Sequence, residues 1–204
     1  MDIYEKIKHY LMLKSLEIRD ISLYHGRMGI VLTLYLYAQK KNDDNLKNFA
    51  WDLLQTIYNN VYDNMPYGLE CGFAGIGYGI TMLKKYGIFD CNLNSVLYDI
   101  DNKIMAYDPR RITDISFRNG LLGIYYYIQQ RSSVEKDIYS FDTTYLKELQ
   151  TRVNRISEPI QDKKTFNIAM DLQRPLWNIQ EYVNKELGLD SGISYYLFTY
   201  CKKN

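Results

Sequence analysis

Only four prolines, three cysteines and two histidines occur in the 204 residues, and neither sign of charge dominates: 25 Lys plus Arg face 24 Asp plus Glu. Few prolines argue against a rigid linker or a low-complexity tract. An odd, widely spaced set of thiols (Cys71, Cys91 and Cys201) excludes a disulfide framework and fits reduced thiols in a reducing compartment. A net charge of +1 provides no field to attract nucleic acid or an anionic membrane, so neither is an expected partner. The longest apolar runs, such as Met28-Gly29-Ile30-Val31-Leu32-Thr33-Leu34, fall far short of the ~20 residues that span a bilayer. The opening Met1-Asp2-Ile3-Tyr4-Glu5-Lys6 lacks the charged-then-apolar order of a secretory signal, and a soluble cytoplasmic protein is expected. Motifs for a phosphate-binding glycine loop, a His-Glu-x-x-His metal helix, a Gly-x-Ser-x-Gly elbow and paired Cys-x-x-Cys units are missing too.

What the chain has is tyrosine, 21 of them, in a sequence that is 47% hydrophobic and long enough to bury a core as one domain. Tyrosine offers an apolar face and a hydroxyl that needs a partner, so these rings are expected at half-buried packing positions or lining a polar cavity. The chain also repeats a phrase. His25-Gly26-Arg27-Met28-Gly29-Ile30, Cys71-Gly72-Phe73-Ala74-Gly75-Ile76 and Asn119-Gly120-Leu121-Leu122-Gly123-Ile124 share Gly-x-x-Gly-Ile, and their first glycines lie 46 and 48 residues apart. That period suits two helices and two connections per unit. A worn fourth copy is read at Gly188-Leu189-Asp190-Ser191-Gly192-Ile193, with Leu189 in the first-glycine place, 69 residues after Gly120. An insertion therefore precedes it.

After each phrase comes a nearly continuous apolar stretch, at 31–40, 77–86, 125–130 and 195–201, which predicts a buried inner helix. Between these lie one-sided patterns. Leu46, Phe49, Ala50, Leu53, Leu54, Ile57, Tyr58 and Val61 follow helical spacing, as do Leu93, Val96, Leu97, Ile100 and Ile104, and segments 3–13 and 145–156 read alike. No segment has sustained period-two character. The expectation is an all-α chain of helix hairpins, half-exposed outer helices alternating with buried inner ones. Glycine inside a helix costs about 1 kcal/mol, so the repeated pairs must gain close approach of helix ends. Two readings are open: packing alone, or helix starts converging at a rim where the first N–H groups face an anion or a carbonyl oxygen.

Residues 23–198, through these phrases, resemble the lanthionine synthetase C-like family, whose fold is an α/α toroid of two concentric helix layers. The resemblance implies a partial or small toroid, since three or four hairpins are fewer than the seven of a full one; an open crescent, a smaller ring or a homodimer would each fit. Cyclases of the family bind zinc at the rim through a Trp-Cys-x-Gly phrase and a Cys-His-Gly phrase, and the metal activates a peptide cysteine for addition to a dehydrated serine or threonine. That chemistry needs three protein ligands and an open position. Here the ligand places are altered. His25 precedes its glycine as the family histidine does, but Tyr24 stands where cysteine would; Glu70 fills the other cysteine place, with Cys71 one position on; and Arg118-Asn119 occupy the third copy.

The rim candidates are thus His25, Glu70, Cys71, Arg118, Asn119 and Asp190, with Gly26, Gly29, Gly72, Gly75, Gly120, Gly123 and Gly192 as structural glycines. No metal or other cofactor is expected. The alternative is that His25, Glu70 and Cys71 meet and hold zinc. Failing that, His25 and Asn119 bridge helix starts while Cys71 is a small buried hydrophobe. A separate cluster, Asp108-Pro109-Arg110-Arg111-Ile112-Thr113-Asp114, offers Arg110 and Arg111 either to an anion or to local pairing with Asp108 or Asp114. Lys202-Lys203-Asn204 reads as a solvated tail. The expected function is a non-catalytic or divergent role in peptide maturation, binding a precursor peptide or a modifying protein. The alternatives are an atypical metal-dependent cyclase, another α/α-barrel enzyme and a helical interaction scaffold.

Overall fold

The computed structural model describes residues 2–136, 141–156 and 167–202, so part of the insertion and the tail residues Lys203 and Asn204 lie outside them. Among the described residues every regular element is helical: α1 Ile3–Ser15, α2 Arg27–Lys41, α3 Asp44–Tyr58, α4 Phe73–Lys85, α5 Leu93–Val96, α6 Tyr98–Met105, α7 Leu121–Val134, α8 Thr143–Asn154, α9 Ile168–Asp171 and α10 Ile193–Lys202, with a single 3-10 turn at Ile179–Glu181. None of these helices is long and apolar enough to cross a membrane. The helices fall into two compact units. The first comprises 1–62 with 172–204, and the second 63–171.

In the first unit α2 is the inner helix, buried without a break from Met28 to Ala38. That burial all round is why its pattern reads as a continuous apolar run rather than a stripe. Outer helix α3 buries only one face, through Leu46, Ala50, Leu53, Leu54 and Ile57. Each of the leucine and isoleucine side chains contributes about 1.5–3 kcal/mol by leaving water. Helix α10 packs on α2, so the last repeat of the chain neighbours the first, and α1 packs on both.

The second unit follows the same plan. Inner helices α4 and α7 pack together, with α6 against α4 and α8 against α7. The 93–105 pattern, expected as one helix, is broken at Leu97 (φ −101°, ψ 6°) into α5 and α6. This bend places both Leu97 and Asp101 fully inside the core. Asp101 there accepts the Tyr127 hydroxyl at 2.6 Å, with Arg131, also fully buried, 3.7 Å away. Burial, then the carboxylate, holds the Tyr127 hydroxyl protonated far above its ordinary range.

Candidate functional site

Outer helices α3, α5 and α8 begin with an Asp or Asn side chain accepting from first-turn amides: Asp43, Asn92 and Asp142. The inner helices begin differently. Gly26, Gly72 and Gly120 are extended N-caps without a side-chain bond, and the loop before each supplies the acceptors. Arg27 N donates to Asp20 O (2.8 Å), Phe73 N to Pro66 O (2.9 Å), Leu121 N to Asp114 O (2.9 Å) and Ile193 N to Glu186 O (2.7 Å). These four bonds share one offset of seven residues. The first helical amides are therefore taken by carbonyl oxygens of the chain's own preceding loops, which of the readings left open by the sequence is the carbonyl one, and none of these four amides is left for an anion.

The same bonds fix the register of the fourth copy. Gly192, not Leu189, precedes its helix and stands 72 residues after Gly120, where the sequence phrase put the head three residues earlier. Crowding explains why glycine is there. A Cβ on Gly192 would lie 2.4 Å from Gly188 O, and one on Gly72 2.1 Å from Pro66 O.

With that register, the four loops sort into two types. Loops before Gly26 and Gly120 read Asp-Ile-Ser-x-x-(His/Asn)-Gly, in which the aspartates Asp20 and Asp114 accept from Ser22 N and Ser116 N, each at 2.7 Å. Loops before Gly72 and Gly192 read Gly-Leu-(Glu/Asp)-x-Gly. Each unit contains one loop of each type, and they meet in the same way. In the second unit Leu69 N and Glu70 N donate to Arg118 O (2.7 and 2.9 Å); in the first, Asp190 N donates to Tyr24 O (3.0 Å). Leu69 and Leu189, both fully buried, approach the second glycine of the facing phrase: a Cβ on Gly123 would be 3.1 Å from Leu69 Cβ, and one on Gly29 2.8 Å from Leu189 Cγ. Glu70 and Asp190 therefore take equivalent positions, as do Asn119 and His25.

In the second unit the acidic side chain is satisfied internally. Glu70 accepts from Asn119 Nδ2 (2.9 Å) and Arg118 Nη1 (3.3 Å), while Arg118 also donates to the Asp171 carboxylate and main-chain carbonyl, both at 2.9 Å. All three charged groups of that cluster are half-buried, so their attraction is less screened than a surface pair. Cys71, for which one reading was a small buried hydrophobe, is exposed, while Leu69 two residues earlier is fully buried. In the first unit Asp190 is nearly buried and accepts Gln173 N at 2.7 Å, and its carboxylate lies within 4.8 Å of a ring nitrogen of His25.

Zinc in the family needs three protein ligands with thiolates among them. The first unit brings His25 and Asp190 together as two donors; the second offers Glu70, bonded to Arg118 and Asn119, and the exposed thiol of Cys71. Within each unit taken by itself, among the described residues, no third His, Cys, Asp or Glu donor completes a set. Neither donor set fits a thiolate-held catalytic zinc. Arg110 and Arg111 lie apart from these loops. Arg110 forks onto Asp108 (2.8 Å) and reaches Glu148 (2.9 Å), and Arg111 lies 3.9 Å from Asp108. The Arg110 hydrogen bond pushes the Asp108 carboxyl down to about 2, so this cluster pairs locally.

No curated protein matches the chain. The family model described as Lanthionine synthetase C-like protein matches residues 17–173, more than three quarters of the sequence and three of the four glycine-headed helices. The fourth helix start lies beyond the matched residues and repeats the seven-residue hydrogen bond of the other three. The chain belongs to the lanthionine synthetase C-like family.

Proposed function

We propose that this chain is a non-cyclising member of its family that binds an unmodified precursor peptide at the loops preceding its inner helices. One observation carries the reading: the place two residues before the helix-heading glycine, cysteine in the family's Trp-Cys-x-Gly phrase, holds a carboxylate in both units, Glu70 and Asp190. A carboxylate there gives no thiolate for zinc, while it accepts hydrogen bonds from a passing backbone. Three cysteines outside any disulfide support a cytoplasmic setting, where a precursor would be met before export.

The test uses a fluorophore-labelled peptide containing cysteine, serine and threonine, in unmodified and in dehydrated form. Saturable anisotropy is expected for wild type and weakened binding for His25→Ala, with no loss of free thiol from the dehydrated peptide on incubation. Absence of binding, or thiol consumption, overturns the proposal. The approach of His25 to Asp190 favours a second reading, an atypical metal-dependent enzyme. Stoichiometric metal that is lost in His25→Ala would select it.

A further inference from the structure

The first unit holds a recess that the helix-start loops do not line. Its volume is about 340 Å³, and Tyr4, Arg174, Ile179, Tyr195, Tyr196 and Tyr200 form its walls. That is the size of one or two residues, at the small end of ligand pockets.

The walls are held from behind. Tyr200 stacks on Tyr4 with ring centroids 4.0 Å apart, and Lys40 covers its ring with the ammonium 4.8 Å from the centroid while donating to Tyr200 O. The Tyr196 hydroxyl donates to the Trp177 carbonyl, and the Trp177 ring lies 5.3 Å from Tyr196. Tyr195 meets Tyr196 edge-on at 6.0 Å. Locked aromatic rings lose little freedom when a ligand arrives, which makes such a recess a pre-formed one.

Charge decides what fits. Arg174 is the one charged residue lining the recess; it is exposed, and among the described residues no carboxylate pairs with it. Nearby Glu5, the acid beside Tyr4, is already bonded to Lys8 and the Tyr37 hydroxyl. A guanidinium at the edge of an aromatic recess suits a planar carboxylate carried on an apolar body that the rings and Ile179 can cover.

We propose that this recess binds a carboxylate adjacent to an aromatic or branched apolar group, the chemistry of a free peptide C-terminus ending in such a residue or of a small aromatic acid. Arg174 holds the carboxylate, and the Tyr195, Tyr196 and Ile179 surfaces take the apolar body. This site is separate from the loops around His25 and Glu70, and the proposal stands whether or not a precursor peptide binds there.

The experiment titrates the intact chain with N-acetyl-phenylalanine, N-acetyl-phenylalaninamide and inorganic phosphate, following tryptophan emission and calorimetry. The acid should bind at least about tenfold tighter than the amide, the effect of one charge-assisted contact, and Arg174→Gln should erase the preference. Because the acid-against-amide comparison is made in wild type, it holds even if that variant folds poorly. Equal binding of acid and amide, no saturable binding of the acid, or phosphate binding as tightly as the acid overturns the proposal. A pentapeptide ending in free phenylalanine that binds at least as tightly as N-acetyl-phenylalanine supports it with a peptide as the source; weaker binding of that peptide supports it with a small acid as the source.

Discussion

Replacing Gly72 by alanine tests the geometry on which every inner helix start rests. The backbone there is extended (φ −125°, ψ −166°), a conformation any residue adopts, so the penalty is steric. The new Cβ would lie 2.1 Å from Pro66 O and 2.6 Å from Gly68 N, both main-chain atoms that cannot rotate aside. Displacing 66–68 weakens three bonds at once: Phe73 N to Pro66 O, Ala74 N to Tyr67 O and Gly75 N to Gly68 O. At about 1 kcal/mol net for each, the loss is about 3 kcal/mol, offset by at most ~1 kcal/mol from the stiffer unfolded chain. For a chain of this length that lowers the thermal midpoint by roughly 4–12 °C. Gly87→Ala is the comparison: its φ of 70° strains alanine, yet nothing lies within 4 Å of the added methyl, so the cost is about 1–2 kcal/mol. Circular-dichroism melts of both variants, with Gly192→Ala as a test of the fourth register, should rank Gly72→Ala and Gly192→Ala below Gly87→Ala. A Gly72→Ala protein melting within about 2 °C of wild type would refute the crowding argument.

Tyr127→Phe removes the hydroxyl bonded to the buried Asp101 and should cost about 1–3 kcal/mol in urea denaturation, whereas Asp101→Ala removes that acceptor together with the more deeply buried of the two carboxylates 3.7 Å from buried Arg131, leaving Glu135, and should cost more, up to about 3–5 kcal/mol. The reverse order would contradict the buried-pair description. Thiol labelling at pH 8 should modify exposed Cys71 first and Cys201 last, because burial pushes the Cys201 thiol up to about 11 and keeps it protonated there; Cys91, also raised by burial, should fall between. Labelling of Cys201 ahead of Cys71 would count against the described packing.

The inner helices were legible because burial all round leaves a continuous apolar run, as at Met28 to Ala38, and because the glycine phrases mark three of their starts. The phrase puts the fourth start three residues early, since it weights its second glycine and isoleucine, while the physical requirement falls on the glycine that heads the helix, whose Cβ would meet the preceding loop's backbone. Comparing Gly188-Leu189-Asp190-Ser191-Gly192 with Gly68-Leu69-Glu70-Cys71-Gly72 would have found it. The break at Leu97 was hidden because α5 and α6 together keep a helical apolar spacing. Of the site, the candidates were named, but the pairing of Glu70 with Asn119, and of Asp190 with His25, joins loops far apart in sequence, which local pattern does not encode.

Under the proposed function, Glu70 and Asp190 at the family's cysteine places leave no thiolate for zinc, and metal content tests that most directly. Elemental analysis of protein purified without chelators and then incubated with zinc and desalted should find well below one zinc per chain, unchanged by Glu70→Gln or Asp190→Asn. One tightly held zinc per chain, lost on changing His25 or either carboxylate, would contradict it.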